Sequence, residues 1–334
     1  MEITKIETNQ NKNLYFNKSK VKPKKYCRFL ETEIVNIYPS VTYQKFEGFG
    51  AAITEASAYA YSLLPDDKKQ KFMNDYFAEI KYSLCRLTIG SCDFSIKSYS
   101  YAKKHDLSDF SIEHDMQYII PFIKDALKIN PSLRFLASPW SPPKFMKNNK
   151  MLILGGKLLN KYKQTYADYF VKYLNSYKEL GINIDYVTIQ NETNAMPIWE
   201  SCLYNPDDEV DFLVNYLYPT FQRNNITTKI LVYDHNKEKL YNRAVAEFSN
   251  PAANKAASGI AFHWYSGNHF DNISLCRQTF PDKLLFHTEG CFSFDPTNSF
   301  SGQYAHDIIG DLNAGINGYM DWNILLDCKG RTKS

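Results

Sequence analysis

The sequence predicts an α/β chain closed into a (β/α)8 barrel, and three observations predict it. From Phe46 onward about eight β-like runs alternate with helical patterns, which is the signature of strand–helix repeats. The spacing between runs leaves room for a crossover helix each time, as parallel strands require. The fourth and seventh runs each close on a glutamate, and an α/β barrel delivers functional side chains from the C-terminal ends of its strands.

The expected strands are Phe46–Ile53, Ser83–Gly90, Arg134–Trp140, Tyr186–Glu192, Lys229–His235, Gly259–Tyr265, Lys283–Glu289 and Gly318–Asn323. Between them, Tyr162–Leu180 carries apolar residues at near-helical spacing, and Gly181 stands where a C-cap belongs. Asp66–Phe77, His114–Ile129, Asp207–Phe221 and Gln303–Ala314 read as helices by the same pattern. A doubly wound sheet would want a Gly-rich phosphate turn after its first strand, and Gly48-Phe49-Gly50 is only a fragment of one. Residues 1–45 are polar and rich in Lys and Asn. They include β-like pieces at Cys27–Leu30 and Glu33–Tyr38, read as strands outside the domain of residues 46–334.

Composition narrows the function. The 334 residues suffice for a large core. A net charge of +3, with no basic and aromatic face, argues against nucleic-acid binding. The Lys18–Lys25 cluster reads as a solvated loop. Aromatic residues are 15% of the chain, with 25 Tyr and 22 Phe, and such side chains suit sugar faces. No run approaches the roughly 20 apolar residues of an integral membrane segment. No apolar signal region opens the chain, and seven scattered cysteines without a C-x-x-C pair fit a reducing compartment. A cytoplasmic location is the expectation, and the oligomeric state is not readable.

The chemistry rests on Glu192 and Glu289. A departing glycosidic oxygen needs a proton, so one carboxyl must stay protonated, its pKa raised by burial or a negative neighbour. The other must be ionised to attack the anomeric carbon, and a separation of about 5–5.5 Å gives retention by double displacement. Asn191 precedes Glu192 and suits a sugar 2-hydroxyl, or else loop backbone. Arg86, inside a barrel strand, demands a carboxylate partner. Trp140, ahead of Ser141-Pro142-Pro143, and Trp322 are candidate sugar platforms or packing. Asp93 is a bidentate acceptor for sugar hydroxyls or an Asx-turn residue. His263 and Tyr265 end the sixth run, where Tyr265 is placed to donate to a nucleophile or to cap the barrel. No metal site is expected, since His287 and Glu289 alternate on one strand with no third ligand indicated. Asp234-His235 has no serine elbow to serve.

At these residues the chain resembles glycoside hydrolase family 30, in its glucosylceramidase-like branch. The likeness is carried by Tyr43–Glu55, Ser91-Cys92-Asp93-Phe94-Ser95, Ala137-Ser138-Pro139-Trp140, Asn191-Glu192, His263-Trp264-Tyr265, Thr288-Glu289-Gly290-Cys291 and Asp321-Trp322-Asn323. It implies a barrel with a side β-sandwich built from both chain ends, and a retaining mechanism without cofactor. Glu192 would be the acid/base and Glu289 the nucleophile. Arg86, Asp93, Trp140, Asn191, Tyr265 and Trp322 would line the sugar subsite. The substrate would be a β-glucoside, either a glycolipid such as glucosylceramide or a β-glucan. A β-1,6-glucanase, β-xylosidase or β-fucosidase is the related alternative, and an impaired remnant that at most binds carbohydrate is the alternative of another class.

The chain departs from the family twice. Thr193 stands where a proline usually follows the acid/base, which bears on how firmly Glu192 is held. Family members also run well past the eighth strand, so a truncated product with residues 1–45 as orphan strands is expected, prone to self-association along its exposed edges.

Overall fold

The protein is described from a computed structural model over residues 2–24, 36, 38–292 and 301–330. The chain divides into two units, Met1–Tyr43 and Gln44–Ser334.

The first unit holds a two-stranded antiparallel hairpin, β1 (Ile3–Asn9) and β2 (Leu14–Val21). Its strands are largely exposed, so no run of apolar residues advertised them. Lys18–Val21, expected in a loop, belong to β2. The strands anticipated at Cys27–Leu30 and Glu33–Tyr38 fall on or across positions outside the described residues.

The second unit is a closed barrel of eight parallel strands: β3 (Gly48–Ala52), β4 (Leu84–Ile89), β5 (Arg134–Pro139), β6 (Ile184–Thr188), β7 (Lys229–Asn236), β8 (Gly259–His263), β9 (Leu284–Glu289) and β10 (Gly318–Asn323), with β10 pairing back onto β3. The barrel excludes the doubly wound alternative. Gly50 answers to packing and not to phosphate, because a Cβ there would lie 1.7 Å from the Leu84 carbonyl oxygen.

Helices cover the outside of the barrel. They are α1 (Glu55–Ser62), α2 (Asp66–Met73), α3 (Ile119–Ile129), α4 (Lys163–Glu179), α5 (Pro206–Phe212), α6 (Tyr218–Arg223), α7 (Leu240–Phe248), α8 (Pro251–Ala256), α9 (Phe270–Thr279) and α10 (Ser301–Ala314). A wide helical turn over Leu213–Leu217 joins α5 to α6, so the expected helix at Asp207–Phe221 is one continuous rod with a local expansion. Gly181 ends α4 with φ +79° and donates to the Lys178 carbonyl at 2.9 Å. The helix α1 escaped prediction because Glu55-Ala56-Ser57-Ala58 carries no amphipathic stripe. Thr54 caps it, its hydroxyl accepting from the Ser57 N–H at 3.2 Å.

The core forms layers. Leu84, Leu136, Tyr186, Leu231, Ala261, Phe286 and Met320 fill the barrel interior, and a larger shell packs between strands and helices. Above the interior plug, Ala52, Cys92, Trp140 and Trp322 form an apolar shelf near the C-terminal strand ends. The site rests on that shelf.

Candidate active site

Arg86 on β4 anchors the site. It is fully buried, and its guanidinium donates to Asp234 Oδ2 at 2.8 Å, to Asn191 Oδ1 at 2.8 Å, to Ser138 Oγ at 3.3 Å and to Glu289 through a short charge-assisted bond. Trp140 and Trp322 cover it, with ring centroids 4.8 and 5.6 Å from the guanidinium carbon. The carboxylate partner that a buried strand arginine demands is thus present twice over.

Asp234 is the residue sequence reasoning passed over. It lies at a β-bulge in β7, where the pairing with β8 skips from Tyr233↔Ala261 to His235↔Phe262 and both Tyr233 and Asp234 have positive φ (74° and 50°). The bulge re-aims Asp234 into the barrel. There it accepts from Arg86, from Ser138 at 3.0 Å, from Thr188 at 2.7 Å, from Thr288 at 2.6 Å and from the His263 ring at 3.1 Å. Burial alone would raise its pKa, but Arg86, His263 and Thr288 hold it far below the usual carboxylate range.

Glu289 ends β9 as expected, and Tyr265 donates to its Oε1 at 2.9 Å while Arg86 engages Oε2. Glu192 does not end a strand. β6 stops at Thr188, and Glu192 follows in a turn with φ +52°. That turn is tied down without a proline: the Glu192 N–H donates to the Asp234 carbonyl at 2.8 Å, Ala195 closes back on Glu192 at 2.9 Å, and Tyr204 N–H donates to the Thr193 carbonyl at 2.9 Å. Thr193 is buried within it.

His263 stands between the two glutamates. Its Nδ1 is 3.6 Å from Glu192 Oε1, and its Nε2 is 4.0 Å from Glu289 Oε2. Burial works against its charge, but Glu289 and the hydrogen bond to Asp234 push its pKa up to about 9. The imidazolium corrects one expectation. A raised pKa was expected of whichever carboxyl supplies the proton, on the strength of burial or a negative neighbour. For Glu192, burial does press upward, but the His263 cation, with His235 and Arg86, more than offsets it and leaves the carboxyl below its ordinary value.

His235, the neighbour of Asp234, was also missed. Burial drives its pKa down to about 4, and its Nδ1 accepts from the Asn194 N–H at 3.3 Å. The remaining ring proton therefore sits on Nε2, which lies 4.0 Å from Glu192.

Around these groups, the Asn191 carboxamide oxygen is occupied by Arg86, so its two Nδ2 hydrogens are what it offers a substrate. Asp93 sits in the turn that the Ser95 N–H closes on the Cys92 carbonyl at 3.0 Å, but its Oδ1 is buried without a partner among the described residues, and burial, reinforced by the charge of Glu289, raises the carboxyl to about 7. Trp140 and Trp322 stack at 5.3 Å with 1% and 4% of their surfaces exposed. They are floor more than open platform.

His287 does not share a site with Glu289. It lies on the outer side of β9, its Nδ1 2.7 Å from Asp311, with Asp307 at 3.5 Å. The three could hold a cation by geometry. Lys237 already fills that role, with Nζ 2.6 Å from Asp307 and 3.0 Å from Asp311, so among the described residues the set is an internal ion-pair cluster.

Comparison with known proteins places the chain among sugar hydrolases. The model of the glycosyl hydrolase family 30 TIM-barrel domain matches residues 46–333. Lysosomal acid glucosylceramidase of Mus musculus is 32% identical over 329 residues, 89% of this chain and 63% of that protein. The crystal structure of SrfJ from Salmonella typhimurium is 34% identical and superposes with a TM-score of 0.91 over 98% of this chain and 75% of that one. The endo-β1,6-glucanase BT3312 is 30% identical, with a TM-score of 0.81 over 88% of this chain and 71% of that one. The chain spans between 61% and 63% of the length of three glucosylceramidase-named relatives, the mouse enzyme among them.

Proposed function

The chain belongs to glycoside hydrolase family 30, and from that premise we propose that it is a retaining β-glycosidase acting on β-glucosides. The observation that carries this reading is the opposed treatment of the two glutamates in one pocket. Glu289 receives Arg86 and Tyr265, donors that stabilise a carboxylate poised to attack an anomeric carbon. Glu192 receives no hydrogen bond on its carboxyl from Arg86 or Tyr265, and faces His263 and His235, groups that govern when it holds a proton.

In the first step Glu289 attacks the anomeric carbon and Glu192 gives its proton to the departing oxygen. In the second, Glu192 takes a proton from water and the glycosyl–Glu289 ester is cleaved with net retention. Asn191, through Nδ2, serves the 2-hydroxyl, and Asp93 Oδ1, buried without a partner among the described residues, accepts from hydroxyls at the other side of the ring. The residues in hand need no metal or organic cofactor for these steps.

Hydrolysis of a panel of aryl β-glycosides by the purified chain tests the reading, with Glu192→Gln and Glu289→Gln as controls. Turnover by the wild type that both substitutions abolish is expected; a folded wild type without turnover sinks it. A 2-deoxy-2-fluoro glucoside should label Glu289, and labelling elsewhere reverses the assignment. The likeness to a β1,6-glucanase favours β-1,6-linked glucan as the second substrate to test beside glucosylceramide.

A further inference from the structure

We propose that Glu209 and Arg243, a buried ion pair in the helix layer, position the acid/base by holding the Glu192 turn at two points. The inference rests on the retaining-glycosidase reading of that turn, but one of its two readouts needs no turnover.

The need for such a hold is local. The pairing of β7 with β6 ends at Leu231, and two residues further on the chain enters the bulge at Tyr233 and Asp234. Both residues take positive φ, a conformation that is costly without glycine and persists where the surroundings fix it. Tyr233 is buried, so its N–H must find an acceptor. Glu209 on α5 supplies it, with Oε1 2.9 Å from the Tyr233 nitrogen. A carboxyl group from a helix thus stands in for a strand carbonyl where the bulge breaks the ladder. The carbonyl of the next residue, Asp234, accepts from the Glu192 N–H.

Arg243 on α7 makes the second hold. Its Nη2 engages Glu209 Oε2 in a short charge-assisted bond, and its Nη1 donates to the Tyr204 carbonyl at 3.2 Å. The Tyr204 N–H in turn donates to the carbonyl of Thr193, the residue after Glu192. Two lines of contact therefore leave one ion pair and meet at Glu192, one through Tyr233 and Asp234, the other through Tyr204 and Thr193. Arg243 also lies over the Tyr233 ring, 5.2 Å from its centre, and the hydroxyl of that ring donates to the Asn236 carbonyl at 2.6 Å. The bulge is spanned from both ends. Glu209 and Arg243 are buried and bond to backbone, to Glu247 and to each other, so they act on a substrate through the segments they hold.

Charge selects Glu209 as the working acid. Arg243 Nε donates to Glu247 Oε1 at 2.8 Å, so one cation lies between two carboxyls. Burial raises both, Glu247 much further because Glu209 repels it. The single guanidinium therefore keeps Glu209 as its charged partner. An ionised carboxylate is a stronger acceptor for the Tyr233 N–H than a neutral carbonyl would be.

The test compares phenyl β-glucoside, whose leaving group needs a proton, with 2,4-dinitrophenyl β-glucoside, whose leaving group does not. Glu209→Gln keeps an oxygen for Tyr233 but loses the charge beside Arg243. The double variant Glu209→Leu with Arg243→Met removes the whole pair, which is milder for the fold than leaving one charge buried alone. In the double variant kcat/KM for the phenyl substrate should fall about a hundredfold or more, and for the dinitrophenyl substrate by less than about threefold. Glu209→Gln should show the same bias in smaller measure. Amide exchange is the second readout. The Tyr233 and Glu192 amides of the folded double variant should exchange about tenfold faster or more, with Leu231 unchanged. Equal losses on the two substrates, or no loss, overturn the proposal, and so does unchanged exchange at both amides. A wild type that turns over neither glucoside defeats the glycosidase reading, and the exchange rates then decide by themselves whether the pair holds the turn.

Discussion

Arg86 and Asp234 form an ion pair at 2.8 Å with neither side chain exposed, and each partner reaches one of the groups that face the two glutamates. Arg86 extends to Glu289 and Asn191, while Asp234 extends to His263, which stands over Glu192. With five donors on two oxygens, Asp234 has no capacity left for a substrate. Its work is orientation.

Asp234→Asn should therefore keep the fold but lose activity. The amide cannot accept from every present donor and presents N–H groups to Arg86 or His263. A fall in kcat/KM of about a hundredfold or more is expected, with KM much less affected. Asp234→Ala should in addition destabilise the protein by about 3–5 kcal/mol, because Arg86 keeps only part of its compensation. Wild-type kcat in Asp234→Asn would remove the positioning role. Urea denaturation separates the two effects.

His263 should set the pH profile. Its folded pKa, about 9 against an ordinary 6.5, is raised, so the stability it contributes is fully present below about 6.5 and is lost as pH rises through about 9. The same cation holds Glu192 down, so the acid form of Glu192 is favoured only at acidic pH. His263→Gln should move the alkaline limb of kcat/KM to higher pH and flatten the loss of stability between about pH 6.5 and 9. An unmoved limb would mean that Glu192 does not titrate against this imidazole.

Much of this site was legible because its residue types are conspicuous where they fall. Arg86 inside an apolar run had to have an acid, and Glu289 at the end of another run had to face the barrel mouth. Asp234 and His235 were not legible, because their roles depend on a bulge made by non-glycine residues with positive φ, a geometry without a sequence signature. Glu192 was placed at the right height for a wrong reason, since it is delivered by a turn after β6 and not by the strand itself. The direction of its pKa was misread because burial can be inferred from a sequence and a cation on a strand two positions around the barrel cannot. Helices α7, α8 and α9 escaped for a plainer reason. They are short, between six and ten residues, so each offers few apolar positions for the period to show.

Asp93 should show a trade between binding and stability. Its carboxyl is raised to about 7 from an ordinary 3.8, so the folded state binds more protons than the unfolded chain across that interval and stability falls as pH rises through it. Asp93→Asn removes that penalty. The variant should be more stable than the wild type at pH 7, by about 1 kcal/mol or more, while KM for an aryl β-glucoside rises about tenfold or more as hydroxyl donors lose a charged acceptor. A variant that is destabilised at neutral pH would give Asp93 a structural partner that the geometry does not contain.

Lys237 tests the reading of the cluster behind Glu289. Its ammonium is the cation that lets Asp307 and Asp311 stay buried together, beside His287 on the strand that carries Glu289. Burial, and then repulsion from Asp311, already raises the Asp307 carboxyl. Lys237→Met leaves the two acids facing each other without that charge and should destabilise the protein by about 3–5 kcal/mol. The loss should deepen as pH rises, because the raised Asp307 carboxyl must then ionise without the ammonium beside it. Adding Asp307→Asn and Asp311→Asn should recover most of the stability, since removing a whole buried ion set is far milder than removing one sign of it. Denaturation of the single and triple variants at acidic and neutral pH decides the matter. Equal losses in the two variants would show that Lys237 acts through its packing on Phe270, 4.6 Å from the ring centre, and not through charge.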